Sequence, residues 1–341
     1  MSRIQCSHAY EHIISAENLL AAWQEFVAGK RRRKDVQEFE RDLMENILAL
    51  HRDLATRTYT HSAYQTFNIS DTKPRIIHKA TVRDRLVHHA LYRVLYPFFD
   101  RMFIADSYSC RIGKGTHRAM NRFREFGHIV SKNNTRTCWV LKCDIRKFFA
   151  SIDHGVLLAI LKRSIPDQDI MGLLERVIRS FASTASGKGL PLGNLTSQLF
   201  ANIYMNELDQ FAKHKLKARY YVRYADDFVF LSADRRVPKS MLALIDGFLC
   251  EKLKFALHPQ KVFIKTLASG IDFLGWTHFP DHRVLRTSTK KRMIRRIAAT
   301  DKEEVLQSYL GLLSHGNTHT IREGIMKNLD RDFVVIESGT V

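Results

Sequence analysis

Apolar residues recur at helical spacing in some segments of the chain and at strand spacing in others, which predicts a mixed structure. An acidic first turn opens an amphipathic helix predicted over Ser15–Phe26. A second helix is predicted over Val36–Leu54, directly after the basic run Gly29–Lys34. A third covers Thr81–Phe99, where apolar residues form a stripe along one face.

Further helices are predicted in the second half of the chain. Asp153 is a suitable N-cap for a helix that runs to about Ile165. A loop rich in Gly and Ser, Ser183–Gly189, precedes a long helix that ends near Lys217. Another helix is predicted over Pro238–Leu253, and the C-terminal region is basic and helical.

Strand patterns lie between these helices. The predictions are, in chain order, a hairpin over Tyr64–His78 with its turn at Asp71–Pro74, a buried strand over Thr137–Asp144, a hairpin over Tyr220–Ser232 that bends at Ala225–Asp227, and a short strand pair within Lys261–Thr277. Helices mixed with antiparallel strands predict an α+β fold.

Charge is the first indication of function. The chain has 54 Lys and Arg against 35 Asp and Glu, a formal net charge of +19. Such a balance favours a polyanionic partner, with nucleic acid ahead of an anionic membrane, although a basic protein without such a partner has the same composition. The start of the sequence lacks the pattern of a signal peptide, and no apolar run approaches the length of a membrane span. The five cysteines form no CxxC pair, so we expect neither disulfides nor a zinc site, and a cytoplasmic protein.

Acidic residues stand at the edges of two apolar strands. Asp144 ends the first strand, and Asp226 and Asp227 lie between two β-favouring runs. Turn chemistry alone explains one aspartate at a hairpin bend, but it explains two adjacent ones less well. If the two strands are neighbours, three carboxylates converge on a set of hard oxygen ligands that suits Mg²⁺. Two such ions, ~3.5–4 Å apart, serve phosphoryl or nucleotidyl transfer, and the pattern does not separate a polymerase from a nuclease.

A series of motifs in order resembles the reverse transcriptases. Tyr224–Asp227 resembles their YxDD box, and Cys143–Phe149 resembles their first palm motif. The remaining boxes are similar in the same order: Lys73–Ile77 with Arg83–Arg85 to the fingers motif, Asp106–Ala119 to the segment after it, Pro191–Gln198 to the second palm motif, Leu257–Lys261 to the fourth, and Phe273–Trp276 to the primer grip. The resemblance implies a right-hand polymerase fold and templated synthesis of DNA on RNA.

The second palm motif resembles that of one particular group of reverse transcriptases. Leu192–Gly193 stands where the family usually has Gln-Gly, and Ser197–Gln198 stands where it usually has Ser-Pro. This variant resembles the reverse transcriptases of diversity-generating retroelements. That resemblance implies error-prone copying at adenines, a template RNA, a primer, deoxynucleotides and a small basic accessory protein as partners, with no membrane involved. Other bacterial reverse transcriptases, from group II introns, retrons or phage defence, and an inactive RNA-binding scaffold stay open as alternatives.

The same resemblance implies roles for individual residues. Asp144 and Asp226 would hold two Mg²⁺ ions, or Mn²⁺, with Asp227 beside them, and Lys261 would protonate departing pyrophosphate. The implied contacts to the incoming nucleotide are Arg75, Lys73, Phe149, Gly193 and Gln198; the implied primer contacts are Tyr224, Leu274 and Gly275; the implied contacts to the nucleic-acid backbone are Lys290, Lys291, Arg292, Arg295 and Arg296.

Several of these residues also have an ordinary structural interpretation. Phe149 and Tyr224 fit a core, Gly193 fits a loop, and Lys261 fits the surface. The implied division of the chain is an N-terminal helical extension over residues 1–60, fingers over 61–137, a palm over 138–280 with a fingers insertion near 155–190, and a thumb over 281–341.

Overall fold

A computed structural model describes residues 9–70, 74–183, 185–299 and 303–325 of the 341-residue chain. Its helices are α1 Tyr10–Ile14, α2 Ala16–Val27, α3 Lys34–Arg41, α4 Leu43–Ala55, α5 Val82–Asp100, α6 Thr116–Ser131, α7 Phe148–Ser151, α8 His154–Lys162, α9 Gln168–Arg179, α10 Leu195–Gln210, α11 Arg236–Leu253, α12 Thr287–Ala298 and α13 Glu303–Leu313. Its strands are β1 Gln65–Ser70, β2 Pro74–Lys79, β3 Trp139–Asp144, β4 Tyr221–Tyr224, β5 Asp227–Ser232, β6 Phe263–Thr266, β7 Ile271–Phe273, β8 Trp276–His278 and β9 Arg283–Leu285.

An antiparallel sheet with strand order β4-β5-β3-β6 lies at the centre of the fold. Alternate side chains of each strand point to opposite faces. Leu141 and Phe228 face one core that includes α10 and α11. Val140 and Val229 face a second core, which the apolar side of α6 covers. Helices therefore cover both faces of the sheet.

Helix starts follow from the capping residues in the sequence. The side chains of Ser15, Thr81 and Asp153 accept hydrogen bonds from backbone N–H groups in the first turns of α2, α5 and α8. The predicted cap at Asp153 is thus confirmed. Asp167 caps α9 in the same way, but the pattern of apolar positions described above predicts neither α9 nor α6.

Three predicted elements differ from the structure. The helix expected over Val36–Leu54 breaks at Asp42, whose φ of −116° and ψ of 41° are not helical, into α3 and α4. The strands expected to pair within Lys261–Thr277 belong to different sheets, because β6 adds to β3 while β7, β8 and β9 form a sheet of their own. Asp227 is the first residue of β5 and does not lie in the bend.

The hairpin of β1 and β2 matches its prediction, while the predicted turn residues Asp71, Thr72 and Lys73 lie outside the described residues. The loop before α10 fastens to this hairpin. The His78 N–H donates to the Leu192 carbonyl at 3.0 Å, and the Asn194 amide donates to the His78 carbonyl at 3.2 Å. The loop lies so close that a Cβ at Gly193, where φ is +106°, would stand 2.9 Å from the Ile77 side chain.

A buried ion pair joins the sheet to α10. Arg223 of β4 and Asp209 of α10 are fully buried and form two hydrogen bonds, of 2.8 and 2.6 Å. Asp209 also accepts the Tyr221 hydroxyl at 2.8 Å. Removing one partner of such a pair leaves a buried charge without compensation.

We expect Asp209→Ala to lower the free energy of unfolding by about 3–5 kcal/mol, because it leaves the Arg223 guanidinium buried and unpaired. Guanidinium chloride unfolding followed by circular dichroism measures the loss. Asp234→Ala is the matched control, since Asp234 pairs with Arg236 on the surface and accepts its backbone N–H at the start of α11; it should lower the free energy of unfolding much less than Asp209→Ala does. Equal midpoints for all three proteins would contradict a structural role for the buried pair.

Candidate active site

Two carboxylates face each other across the central sheet. In the antiparallel register of β3 with β5, Asp144 lies directly opposite Asp227. The expected neighbourhood of the Asp144 strand and the second hairpin is therefore confirmed. Both residues lie on the sheet face that includes Val140 and Val229. Strand period and register alone bring these two acids together.

The third carboxylate stands on a strained turn. Ala225, which precedes Asp226, has a φ of +54°, in the left-handed region that favours glycine. The buried Arg223 guanidinium donates to the Ala225 carbonyl at 3.2 Å. The ion pair beneath the sheet thus holds the backbone of the turn, and the turn positions Asp226 next to the end of β3.

Two lysines neutralise the carboxylates. Lys142 Nζ donates to Asp227 Oδ1 at 2.6 Å, and Lys261 Nζ reaches both carboxylate oxygens of Asp144, at 2.7 and 2.8 Å. The segment that carries Lys261 is itself fixed to the strand end, because the His258 N–H donates to the Asp144 carbonyl at 2.8 Å. Lys261 is therefore bound to Asp144, and its side chain is 36% exposed.

Burial and mutual repulsion raise the pKa values of two of the acids. Burial raises the pKa of Asp226 above its ordinary value, and the neighbouring charge of Asp144 raises it further. Burial likewise raises the pKa of Asp227 to about 6, against the opposing effect of the Lys142 ammonium, while Asp144 and Asp226 add to the rise. Each shift reports an environment in which negative charge is costly and an added cation would lower the energy.

The donor chemistry of these residues fits a hard divalent cation. Asp144, Asp226 and Asp227 offer carboxylate oxygens, the ligands that Mg²⁺ prefers. Across the described ranges, however, the structure holds no group of three or more His, Cys, Asp or Glu side chains arranged as a ready metal-ligand cluster. At two of the acids, lysines bind the carboxylate oxygens: Lys142 binds Asp227 and Lys261 binds Asp144.

The residues expected at the incoming nucleotide fall into two groups. Phe149 is half-buried in α7 with its ring 5.1 Å from that of Phe148, just after the strand that ends in Asp144. Arg75 on β2 is exposed, and its guanidinium makes no hydrogen bond or ion pair with another described residue; Lys73 lies outside the described residues. Gly193 and Gln198 line a cleft of about 270 Å³ beside the β1–β2 hairpin.

Gly193 has a structural role in the loop before α10. Its positive φ and its approach to Ile77 require glycine for contact between the loop and the hairpin, whatever else binds there. Gln198 is exposed in the first turn of α10, so its side chain is accessible from the cleft.

The residues expected at the primer surround one hydrophobic cluster. Tyr224 and Leu274 both pack against the cluster that includes Val222, Val229 and Phe273. Leu274 and Gly275 form the two-residue turn between β7 and β8, with φ values of +52° and +86°. The Tyr224 hydroxyl accepts a hydrogen bond from the Thr116 hydroxyl at 3.2 Å.

The basic residues of α12 face away from the core. Met293 and Thr289 are buried beneath the helix. Lys290, Lys291, Arg295 and Arg296 are exposed and Arg292 is half-buried. The expected basic surface therefore exists on this helix.

Two residues of the site were not found from the sequence. Lys142 lies two positions before Asp144, and strand period places both on one face, so a lysine inside an otherwise apolar strand was the available signal. Arg223, in the middle of an apolar strand before the turn, gave a similar signal. Its partner Asp209 lies near the end of α10, and no pattern in the sequence connects the two.

Curated relatives are similar over much of the chain. Protein YkfC of Escherichia coli (strain K12) is 25% identical over 272 residues, which are 69% of this chain and 69% of YkfC. Group II intron-encoded protein LtrA of Lactococcus lactis subsp. cremoris is 25% identical over 285 residues, 62% of this chain but 45% of LtrA. The chain thus spans less than half of LtrA.

A solved structure of apo telomerase from Candida tropicalis, truncated from its C-terminal domain, has a TM-score of 0.49 and 12% identity. The match covers 71% of this chain and 60% of that chain. A likeness at this level adds nothing to the assignment.

A family model also matches the chain. Residues 68–278, more than half of the chain, match the family model described as reverse transcriptase (RNA-dependent DNA polymerase). This range contains the three carboxylates, both lysines and every strand of the central sheet. The match confirms the α+β right-hand polymerase fold and the enzyme class expected from the sequence. The chain belongs to the reverse transcriptase family, the RNA-directed DNA polymerases.

Proposed function

We propose that the chain extends a primer 3′-hydroxyl with deoxynucleotides on a template RNA and thereby makes cDNA. The observation that carries this proposal is the register that sets Asp144 opposite Asp227 with Asp226 on the adjoining turn. Asp144 and Asp226 would hold two Mg²⁺ ions, or Mn²⁺, with Asp227 beside them. Such ions, when bound, activate an attacking hydroxyl and stabilise the leaving phosphate oxygen.

The lysines of the site have separate tasks in this proposal. Lys261, which is bound to Asp144 and partly exposed, would give a proton to the departing pyrophosphate. Lys142 is buried against Asp227 and keeps that carboxylate in place through a charge-assisted hydrogen bond. The exposed Arg75 guanidinium suits the triphosphate, because it is always charged and binds phosphate oxygens in pairs.

The remaining parts of the polymerase are assigned by the same reasoning. The half-buried ring of Phe149 would lie against the sugar and clash with a 2′-hydroxyl. Tyr224, Leu274 and Gly275 would contact the primer, and the exposed cations of α12 would contact phosphates without reading sequence. The division into an N-terminal extension, fingers, palm and thumb stays as predicted from the sequence.

The cellular role we propose is error-prone copying for diversification of a target gene, in the manner of diversity-generating retroelements, with a small basic accessory protein as partner. The Leu192–Gly193 and Ser197–Gln198 sequences support it, because the cleft that Gly193 and Gln198 line borders the hairpin that carries Arg75. An intron-type role is the second candidate, and the similarity to LtrA favours it. None of the described helices is long and apolar enough to cross a membrane.

Asp226→Asn should abolish primer extension, with a loss of at least ~1,000-fold, or about 4 kcal/mol of transition-state stabilisation. It removes a cation ligand and keeps the size of the side chain. Extension of a labelled primer on a defined RNA with Mg²⁺ and all four dNTPs measures the loss. Asp234→Asn, an exposed acid just beyond the same hairpin, is the control. The affinity for RNA should be unchanged in both variants. If the wild-type protein binds RNA but does not extend a primer, the protein is an RNA-binding scaffold and not a polymerase.

Phe149→Val should admit ribonucleotides, because it removes the ring proposed to exclude a 2′-hydroxyl. The ratio of kcat/KM for a ribonucleotide to that for the matching deoxynucleotide should rise at least ~10-fold. Phe148→Leu is the control, since that neighbouring ring is buried in the core. An unchanged ratio in Phe149→Val would make Phe149 a core ring only.

Sequenced cDNA should carry substitutions opposite template adenines roughly 10-fold more often than opposite the other bases, a difference of about 1.4 kcal/mol between competing barriers. Leu192→Gln restores the usual family residue and should reduce this bias. The backbone contact from His78 to the Leu192 carbonyl does not depend on that side chain. Uniform fidelity at all four bases would contradict the diversification role but not the polymerase activity.

A further inference from the structure

A second cleft, of about 360 Å³, lies at the end of the β4–β5 hairpin away from the carboxylates. Its walls are the end of α6, the segment 217–220 before β4, the end of β5 and the start of α11. From Asp227 to Leu231 the strand advances about 13 Å, so the cleft and the candidate active site are separate surfaces of one sheet. An occupant of the cleft would leave the carboxylates accessible.

The floor of the cleft is aliphatic and partly exposed. Ile129 is 47% exposed and Val237 is 38% exposed, and both line the cleft. Pro238, Met241 and Leu231 continue the floor between them. A contiguous apolar surface of this kind is typical of a site that a partner covers.

Cations surround this floor, and no acid lines it. Lys132, Arg136, Lys217 and Arg219 are all exposed at the cleft, and its lining contains no Asp or Glu. Within the part of the chain that the structure describes, none of these four cations forms an ion pair, and Asp234, just beyond the cleft, is already bound by Arg236. The site therefore carries four positive charges without compensation.

The combination favours a protein segment over a nucleic acid. Single strands bind through cations together with open aromatic faces on which bases stack. In this cleft the Tyr220 ring is covered by the Arg219 guanidinium at 5.5 Å and packs edge-on against Phe126 at 5.3 Å, and Phe230 is buried. The phosphates of a nucleic acid would contact the cations but not the aliphatic floor. An acidic peptide with a bulky apolar residue would contact both.

We propose that this cleft docks an acidic segment of a partner protein, with an apolar side chain seated on Ile129, Val237 and Met241 and its carboxylates bound by the four cations. The complementary charge speeds and orients the encounter, and the buried apolar residue retains the complex. The proposal does not depend on the reaction proposed for the carboxylates.

The test is a selection of random twelve-residue peptides, displayed on phage, against the whole protein. Enriched peptides are expected to combine two or more acids with an aromatic or branched apolar residue. The consensus peptide, labelled with a fluorophore, is then titrated against three variants by fluorescence anisotropy. Arg136→Glu with Arg219→Glu should weaken its binding at least ~10-fold, or about 1.4 kcal/mol, and Ile129→Ser should weaken it severalfold.

Lys290→Glu with Lys291→Glu is the matched charge control on α12, and it should bind the peptide as the wild type does. The changed side chains are exposed, and circular dichroism checks each fold. The proposal is overturned if no peptide is enriched, if the enriched peptides lack acids, or if all variants bind alike. It is also overturned if a twelve-nucleotide oligouridylate displaces the peptide and loses affinity for the Arg136 and Arg219 variant, because the cleft would then bind nucleic acid.

Discussion

Repulsion between carboxylates is the constraint on which this structure depends. The register of β3 with β5 places Asp144 opposite Asp227, and the turn adds Asp226. Negative charges this close are costly in a partly buried place, as the raised pKa values of Asp226 and Asp227 indicate. Lys142 and Lys261 offset that cost. Lys142 lies on β3, the strand that also carries Asp144, and the segment that carries Lys261 is hydrogen-bonded to the end of that strand.

The support beneath the acids is as specific as the acids themselves. The fully buried Arg223 bonds to Asp209 on one side and to the Ala225 carbonyl on the other. Helix α10, which carries Asp209, also begins at the loop that is fastened to β2. One helix therefore connects the turn of the carboxylates to the hairpin of Arg75, and movement of either end is constrained by the same packed core.

The sequence predicted those features that depend on local pattern. Strand alternation was sufficient for β3 and for the β4–β5 hairpin, the acidic first turn for α2, apolar spacing for α5, and the capping residue Asp153 for the start of α8. Prediction from the sequence failed where packing between distant segments determines the structure. Pattern alone joined Val36 to Leu54 across the break at Asp42, and it paired strands near Lys261 that belong to different sheets. The lysines on Asp144 and Asp227 depend on register and on a distant segment, so Lys142 was missed and the role of Lys261 stayed open.

The strained residue Ala225 has a consequence for the tolerance of this turn to change. An L-residue in the left-handed region costs roughly 1–2 kcal/mol relative to the usual conformation, and glycine would escape that cost. Glycine would also give the unfolded chain more conformations to lose on folding, and it would widen the range of backbone angles open to the folded turn. Alanine at this position therefore costs a small amount of conformational energy, but it restricts the directions in which Asp226 can point.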